Sequence, residues 1–160
     1  MKLKKEKAST KQHIVYVDMD DTLCDFTSAY KQVKEARPDT KYPQSLPGFY
    51  MNLEPIEEAI ETYQWLNGQP CFEVFILTAP SILNPQCYTE KRLWVENWLG
   101  MSMVENLIIT SRKDLNKGDF LIDDKARGKG QDQFEGKFIQ YGSTAYPSWV
   151  EIKAYFEKFV

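Results

Sequence analysis

Short, nearly continuous apolar runs recur along the chain and are separated by longer stretches with helical periodicity. Runs that lack alternating polar residues are typical of strands buried on both faces of a sheet. We therefore predict five strands, at residues 13–17, 72–77, 107–109, 120–122 and 138–141.

Three stretches have apolar residues at the spacing of amphipathic helices, at residues 54–67, 90–99 and 148–159. In the first, Pro55 suits the opening turn and Gly68 supplies the stop. In the second, Trp94, Val95 and Trp98 are predicted to face inward. Strands that alternate with helices predict an α/β fold with a Rossmann-like, doubly wound, mainly parallel sheet. In such sheets, ligands bind beyond the carboxyl ends of the strands.

The composition is typical of one soluble globular domain, which we expect to span residues 1–160. No apolar run of about 18 residues is present, so no transmembrane helix is predicted. The net charge of −3 does not indicate a nucleic-acid partner. The lysine-rich start, residues 2–11, lacks the apolar stretch of a secretory signal and is predicted to be a solvated arm. Three unevenly spaced cysteines favour a reducing, cytoplasmic location.

Two segments show neither periodicity. Residues 36–51, rich in proline and tyrosine, lie where a small cap could be inserted over a site, and we place that cap insert at about residues 27–53. Residues 125–137, rich in glycine and charge, are predicted to be a mobile loop.

Reactive side chains follow four of the predicted strands, and would therefore gather at one edge of the sheet. They are Asp18 and Asp20 after the first strand, Thr78 after the second, Lys113 after the third, and Asp123 with Asp124 after the fourth. Carboxylates gathered in one place repel unless a cation neutralises them, and Mg²⁺ prefers such oxygen ligands together with substrate phosphate. A lysine and a threonine hydroxyl beside them suit the oxygens of a phosphoryl group. The pattern predicts phosphoryl transfer.

The segment from Asp18 to Thr22 resembles the D-x-D-x-T signature of the haloacid dehalogenase (HAD) superfamily, and the other three groups fall in the order of its later motifs. The resemblance is closer to one family, the 5'(3')-deoxyribonucleotidases, and covers most of residues 14–124. It rests on the runs VDMDDTLCDF, FILTAP, CYTEKRLWVENWLG, ITSRK and GDFLIDD. It implies a Mg²⁺-dependent phosphatase with a HAD-like fold that acts on small (deoxy)nucleoside monophosphates.

The same resemblance implies a role for each motif residue. Asp18 would be the nucleophile that takes the phosphoryl group. Asp20 would protonate the leaving oxygen and later deprotonate water, a double role that requires a tuned pKa. Thr78 and Lys113 would hold the phosphate oxygens.

The implied Mg²⁺ site consists of the Asp18 carboxylate, the Asp20 backbone carbonyl and Asp124, with Asp123 behind them. Aromatic residues of the cap would contact the nucleobase. Phe26 matches such an aromatic of the family, although the residue pattern fits a helix-core position equally well. Phe49 and Tyr50 lie in the right region for the same contact.

The chain departs from the family pattern in substrate-facing positions. Its cap segment is shorter than expected, Ser111 stands where relatives can carry an arginine, and Ala79 replaces a hydroxyl residue. Two alternatives therefore stay open: a phosphatase for another small or macromolecular phosphoester, and a nucleotide- or metal-binding regulatory module with little turnover. A homodimer is also left open.

Overall fold

A five-stranded, wholly parallel sheet forms the centre of the molecule in the computed structural model, which describes residues 12–160. The lysine-rich segment 2–11 lies outside the described residues. The strands stand in the order β3-β2-β1-β4-β5, so the central β1 pairs with β2 on one side and β4 on the other. The strand bounds are β1 His13–Val17, β2 Phe72–Thr78, β3 Leu107–Ile109, β4 Phe120–Asp123 and β5 Lys137–Gln140. The predicted α/β class and parallel sheet are confirmed.

Among residues 12–160, three α-helices and several short 3-10 turns lie between the strands, and a fourth α-helix follows β5. The helices are α1 Phe26–Ala36, α2 Ala59–Gly68, α3 Cys87–Leu99 and α4 Trp149–Phe156. The closing helix begins as predicted, because Ser148 and Glu151 form a reciprocal capping box, but its last turn, Glu157–Phe159, is a 3-10 turn. No helix among residues 12–160 is long and apolar enough to cross a membrane.

The predicted start of α2 is wrong by about one turn. Residues 54–58 are not helical, because Pro55 forms an isolated bridge with Cys24 and the Ile56 amide donates to the Leu23 carbonyl at 2.9 Å. Glu58 has a left-handed backbone (φ 60°), and the helix begins at the next residue. These contacts with the loop after β1 outweigh the local helical pattern.

One face of the sheet packs against the helices and holds most of the core. Val15, Val17 and Ile76 contribute from the strands, and the fully buried Trp94 and Trp149 contribute from α3 and α4. The opposite face has a smaller cluster, which comprises Tyr16, Leu77, Leu121 and Phe134.

The inward position predicted for Trp98 is wrong, because its side chain is 36% exposed. The buried face of α3 consists of Cys87, Glu90, Lys91, Trp94 and Val95. Trp98 lies at the margin of that face and contacts the ring of Trp94.

Residues 48–53, part of the segment predicted to form a cap, are attached to α3 by three hydrogen bonds. The carboxylate of Glu90 accepts from the backbone amides of Gly48 (2.7 Å) and Tyr50 (3.0 Å), and the indole of Trp94 donates to the Leu53 carbonyl (2.8 Å). Gly48 is left-handed (φ 82°), and a Cβ there would stand 2.9 Å from the Asn52 amide nitrogen. Residues 48–53 are therefore held in a fixed position against α3.

Candidate active site

The loop that follows β1 folds tightly and presents two aspartates at the carboxyl edge of the sheet. The Met19 carbonyl accepts from the amides of Thr22, Leu23 and Cys24 at 2.8–3.1 Å, which closes the turn. This turn holds Asp18, which is 6% exposed, at the floor of a cavity, with Asp20 beside it.

Lys113 reaches this floor from the short turn after β3 and is almost completely buried. Its ammonium donates to Asp18 Oδ1 at 2.7 Å and also to the carboxylate of Asp123. Burial alone would lower the pKa of Lys113, but the charges of the two aspartates outweigh burial and raise it. Lys113 is therefore a fixed positive charge beside the Asp18 carboxylate.

Thr78 ends β2 and is fully buried, with its hydroxyl oriented by a second buried lysine, Lys91. The Lys91 ammonium donates to Thr78 Oγ1 at 2.6 Å and to Asp20 Oδ2 at 2.8 Å, and it lies 5.1 Å from the ring centre of Tyr50. Burial opposes the charge on Lys91, but Asp20 and Asp18 together raise its pKa. Two buried lysines therefore pair with the two aspartates of the loop after β1, Lys113 with Asp18 and Lys91 with Asp20.

The sequence analysis missed Lys91, although it lies in a run quoted for the family resemblance. Lys91 could have been found from the helical spacing of α3. Glu90 and Lys91 fall on the same buried face as the apolar residues Cys87 and Trp94. A charged residue on the buried face of a helix needs a partner, and so predicts a functional or structural contact.

Three carboxylates could hold a metal ion. Each of Asp18, Asp123 and Asp124 offers an oxygen, and these oxygens lie within 4.8 Å of one another. Burial, together with the neighbouring charges, raises the pKa of Asp124 to about 7, and burial and Asp18 raise that of Asp123 to about 6. Such an oxygen-only set under mutual repulsion fits a hard divalent cation such as Mg²⁺.

The two adjacent acids at the end of β4 have different partners. Asp123 is occupied by protein donors, since it also accepts from the Lys125 amide (2.9 Å) and from the Gln131 side chain (3.3 Å). Among residues 12–160, the Asp124 carboxylate accepts a hydrogen bond only from the Thr22 hydroxyl, at 3.4 Å, while the Asp124 amide donates to that hydroxyl at 3.1 Å. Asp124 is therefore the freer of the two to bind a cation.

The carboxylate of Asp20 lies outside this three-residue cluster, because it turns toward Lys91. Its side chain is 27% exposed. Burial is the main cause of its raised pKa, which Lys91 partly offsets and Asp18 increases. A carboxyl with such a pKa, near the nucleophile candidate but apart from the metal cluster, can donate and accept a proton.

The cavity above these groups has a volume of about 360 Å³, and two of the three predicted aromatic residues line it. Phe26 and Tyr50 form part of the wall. Phe49 instead lines a neighbouring cavity of about 480 Å³ and packs edge-to-face against Phe26. The structure therefore brings together all predicted polar residues and two of the aromatic ones.

Of the two point departures from the family pattern, Ala79 lines the cavity and Ser111 does not. Ala79 lines it directly, where a hydroxyl would otherwise stand. Arg112, next to Ser111, is exposed and forms an ion pair with Asp114 (2.6 Å), so its guanidinium is engaged away from the cavity wall.

A parallel sheet whose central strand ends in D-x-D-x-T, with a lysine and an acid pair at the same edge, defines the class of HAD-type phosphatases. A solved structure of similar fold is that of YfnB from Bacillus subtilis, provisionally described as a HAD-hydrolase and bound to magnesium. It has a TM-score of 0.57 and 12% identity, and the match covers 86% of this chain and 90% of that chain.

Comparison with related sequences identifies a family within the class of HAD-type phosphatases. Residues 40–147 match the family model described as 5' nucleotidase, deoxy (pyrimidine), cytosolic type C, and the chain belongs to this family. A protein of Vibrio phage KVP40, provisionally named a 5'(3')-deoxyribonucleotidase, is 34% identical over 91% of this chain and 85% of its own length. The human cytosolic 5'(3')-deoxyribonucleotidase is 34% identical over 74% of each chain.

Proposed function

We propose that the chain hydrolyses the phosphomonoester of (deoxy)nucleoside monophosphates in a Mg²⁺-dependent reaction that passes through an aspartyl-phosphate at Asp18. The observation that carries this proposal is the pairing of Asp18 with Lys113 at 2.7 Å on the floor of a cavity that Asp20 also lines. The names of the relatives support the nucleotide as substrate. In this account residues 1–160 form one HAD-like domain with a cap at about 27–53.

In the first half-reaction, a carboxylate oxygen of Asp18 attacks phosphorus and the bond from phosphorus to the nucleoside oxygen breaks. Protonated Asp20 donates its proton to that leaving oxygen. Lys113 compensates the charge of the incoming phosphate dianion, and the Thr78 hydroxyl orients a phosphate oxygen.

In the second half-reaction, Asp20 accepts a proton from water, whose oxygen attacks phosphorus. The bond between phosphorus and Asp18 breaks, inorganic phosphate leaves, and Asp20 is again protonated. Lys91 does not take part in either transfer. It keeps the Asp20 carboxylate and the Thr78 hydroxyl in a fixed relation, since it bonds both at 2.6–2.8 Å.

Asp18 and Asp124 would hold Mg²⁺ through their carboxylates and Asp20 through its backbone carbonyl, with Asp123 supporting Lys113 from behind. When bound, the ion neutralises these acids and polarises the phosphoryl group. The protein contributes the fixed carboxylates, the buried lysine and the cap that limits water.

The nucleoside would lie along the cap side of the cavity, where Phe26 and Tyr50 offer aromatic surface. Phe49 would act only indirectly, by supporting the ring of Phe26. A cytoplasmic location and a homodimer stay predictions.

The test is phosphate release from deoxyribo- and ribonucleoside 5'- and 3'-monophosphates and from generic phosphoesters, with and without Mg²⁺. Asp18→Asn is compared with the matched control Asp132→Asn, which makes the same change at an exposed position. We expect Mg²⁺-dependent release, best from deoxynucleotides, that Asp18→Asn abolishes and the control keeps. Release from generic esters alone would refute the nucleotide assignment, and full activity of Asp18→Asn would refute the nucleophile.

A further inference from the structure

Three cations on one loop line one side of the catalytic cavity and have no part in the chemistry described above. Lys125, Arg127 and Lys129, here called the cationic rim, are exposed and line the cavity together with Asp18 and Lys113. Among residues 12–160, none of the three forms an ion pair within 4.0 Å with a carboxylate. Their charge is available to a ligand.

The backbone of this loop is held to the catalytic residues, although the sequence predicts a mobile loop. The Lys125 amide donates to Asp123 Oδ1 (2.9 Å), and the Lys129 carbonyl accepts from the Lys113 amide (2.9 Å). Gly130 is left-handed (φ 88°), and a Cβ there would stand 2.3 Å from a carboxylate oxygen of Asp114. The backbone that carries the rim is therefore anchored near Asp123 and Lys113 at both of its ends.

A single phosphate bound at the floor of the cavity does not need the charges of the rim. Lys113 and Lys91 already pair with aspartates on the floor. A phosphate bound at Asp18 would meet Lys113 and Thr78, both of which are buried whereas the rim is exposed. The sheet order places the rim loop on the β4 side of β1 and the loop of Ala79 on the β2 side. A substrate seated between these loops can meet the rim with a second anionic group.

We propose that the cationic rim is a subsite for a second phosphate on the nucleotide, so that the site binds nucleotides carrying two phosphate groups in preference to monophosphates. The chemistry is shared by two ligands: a nucleoside 3',5'-bisphosphate, and a nucleic-acid end whose second phosphate is a diester. This inference rests on the proposed function, because it places the first phosphate at Asp18.

A simpler role for the rim is general attraction of anions. Exposed cations raise the encounter rate of any anionic ligand and do not discriminate between one phosphate and two beyond total charge. The ratio of the affinities for a bisphosphate and a monophosphate distinguishes the two roles. For a subsite this ratio depends on the three rim positions, whereas for general attraction it depends on net charge alone.

The experiment measures binding by calorimetry in Mg²⁺ buffer with Asp18→Asn as background, which prevents turnover. The ligands are deoxythymidine 5'-monophosphate, deoxythymidine 3',5'-bisphosphate and a 5'-phosphorylated dinucleotide. The rim variant is Lys125→Gln with Arg127→Gln and Lys129→Gln. The control makes the same charge change at the exposed positions Lys31, Lys117 and Lys158, none of which lines the cavity.

With the rim intact we expect the bisphosphate to bind about tenfold more tightly than the monophosphate, the effect of a few exposed ion pairs. The rim variant should lose this preference and the control should keep it. A similar rim-dependent preference for the dinucleotide would assign the subsite to nucleic-acid ends, and its absence to small bisphosphates. No preference with the rim intact, or equal loss in rim variant and control, would overturn the inference. Failure of the proposed function is seen separately, as absence of turnover by the wild-type chain.

Discussion

Replacing Lys91 by methionine tests whether a buried lysine positions the acid–base residue. Methionine has a similar length and no charge, so the substitution removes the bonds to Asp20 and Thr78 while filling most of the space. It leaves the Asp20 carboxylate beside Asp18 without its ammonium partner.

The burial of Lys91 and Asp20 determines how much stability the Lys91→Met substitution should cost. Removing one partner of a fully buried ion pair costs ~3–5 kcal/mol. Lys91 is completely buried but Asp20 is 27% exposed. Water can therefore replace part of the interaction, and we expect a loss of about 2 kcal/mol in the free energy of unfolding. Since a well-placed general acid contributes ~10²–10⁴-fold, partial loss of its alignment should lower kcat/KM for a nucleotide by about 100-fold.

The assay compares kcat/KM for a nucleoside monophosphate with kcat/KM for p-nitrophenyl phosphate. The aryl leaving group departs without a proton, whereas the nucleoside oxygen needs one, so the loss should be clearly smaller for the aryl ester. Arg92→Met is the matched control, because Arg92 is the next residue of α3, is exposed, and forms a surface ion pair with Glu96 and a weak contact with the Met101 sulfur. It should leave both values near wild type.

Equal losses on the two substrates would refute this reasoning, because they would show that Lys91 acts through the fold and not through proton donation by Asp20. Unchanged kinetics with a lower stability would refute it as well.

Three further results are expected. Glu90→Gln should weaken the attachment of the Gly48 and Tyr50 amides to α3 by about 1–2 kcal/mol in urea unfolding, with the half-buried variant Glu96→Gln near neutral. Mg²⁺ should raise the melting temperature less at pH 5.5 than at pH 8. At pH 5.5 Asp124, with a pKa of about 7, carries a proton that the ion must displace. An equal rise at both pH values would contradict the carboxylate site. Lys113→Ala should raise KM and lower kcat together, and no change in either would remove Lys113 from the site.

The sheet could be predicted almost completely from the sequence. The bounds of β1 and β3 match the apolar runs, and those of β2 and β4 differ by one residue. Buried parallel strands have a strong local signature, and the rule that sites lie at their carboxyl ends brings Asp18, Lys113 and Asp123 together without further information.

What could not be predicted depends on contacts between segments distant in the chain. Residues 54–58 have a helical pattern but pair with the loop after β1 instead. The role of Lys91 depends on its contact with Asp20, which lies 71 positions earlier in the chain. Phe49 is predicted at the cavity, but it lines a neighbouring one, because the backbone on both sides of it is bonded to Glu90. Local periodicity contains none of these relations.

The central claim, a phosphoryl group carried by Asp18, is tested most directly by acid quench during turnover followed by mass spectrometry of the peptide that contains Asp18. With p-nitrophenyl phosphate as substrate, Asp20→Asn should accumulate the phosphorylated form, because this leaving group needs no proton from Asp20 whereas the attacking water does. We expect the mass of one phosphoryl group on that peptide, and its absence when Asp18→Asn is added. Phosphate release by the wild-type chain, with no phosphorylated peptide in Asp20→Asn or with the label on another residue, would contradict the account.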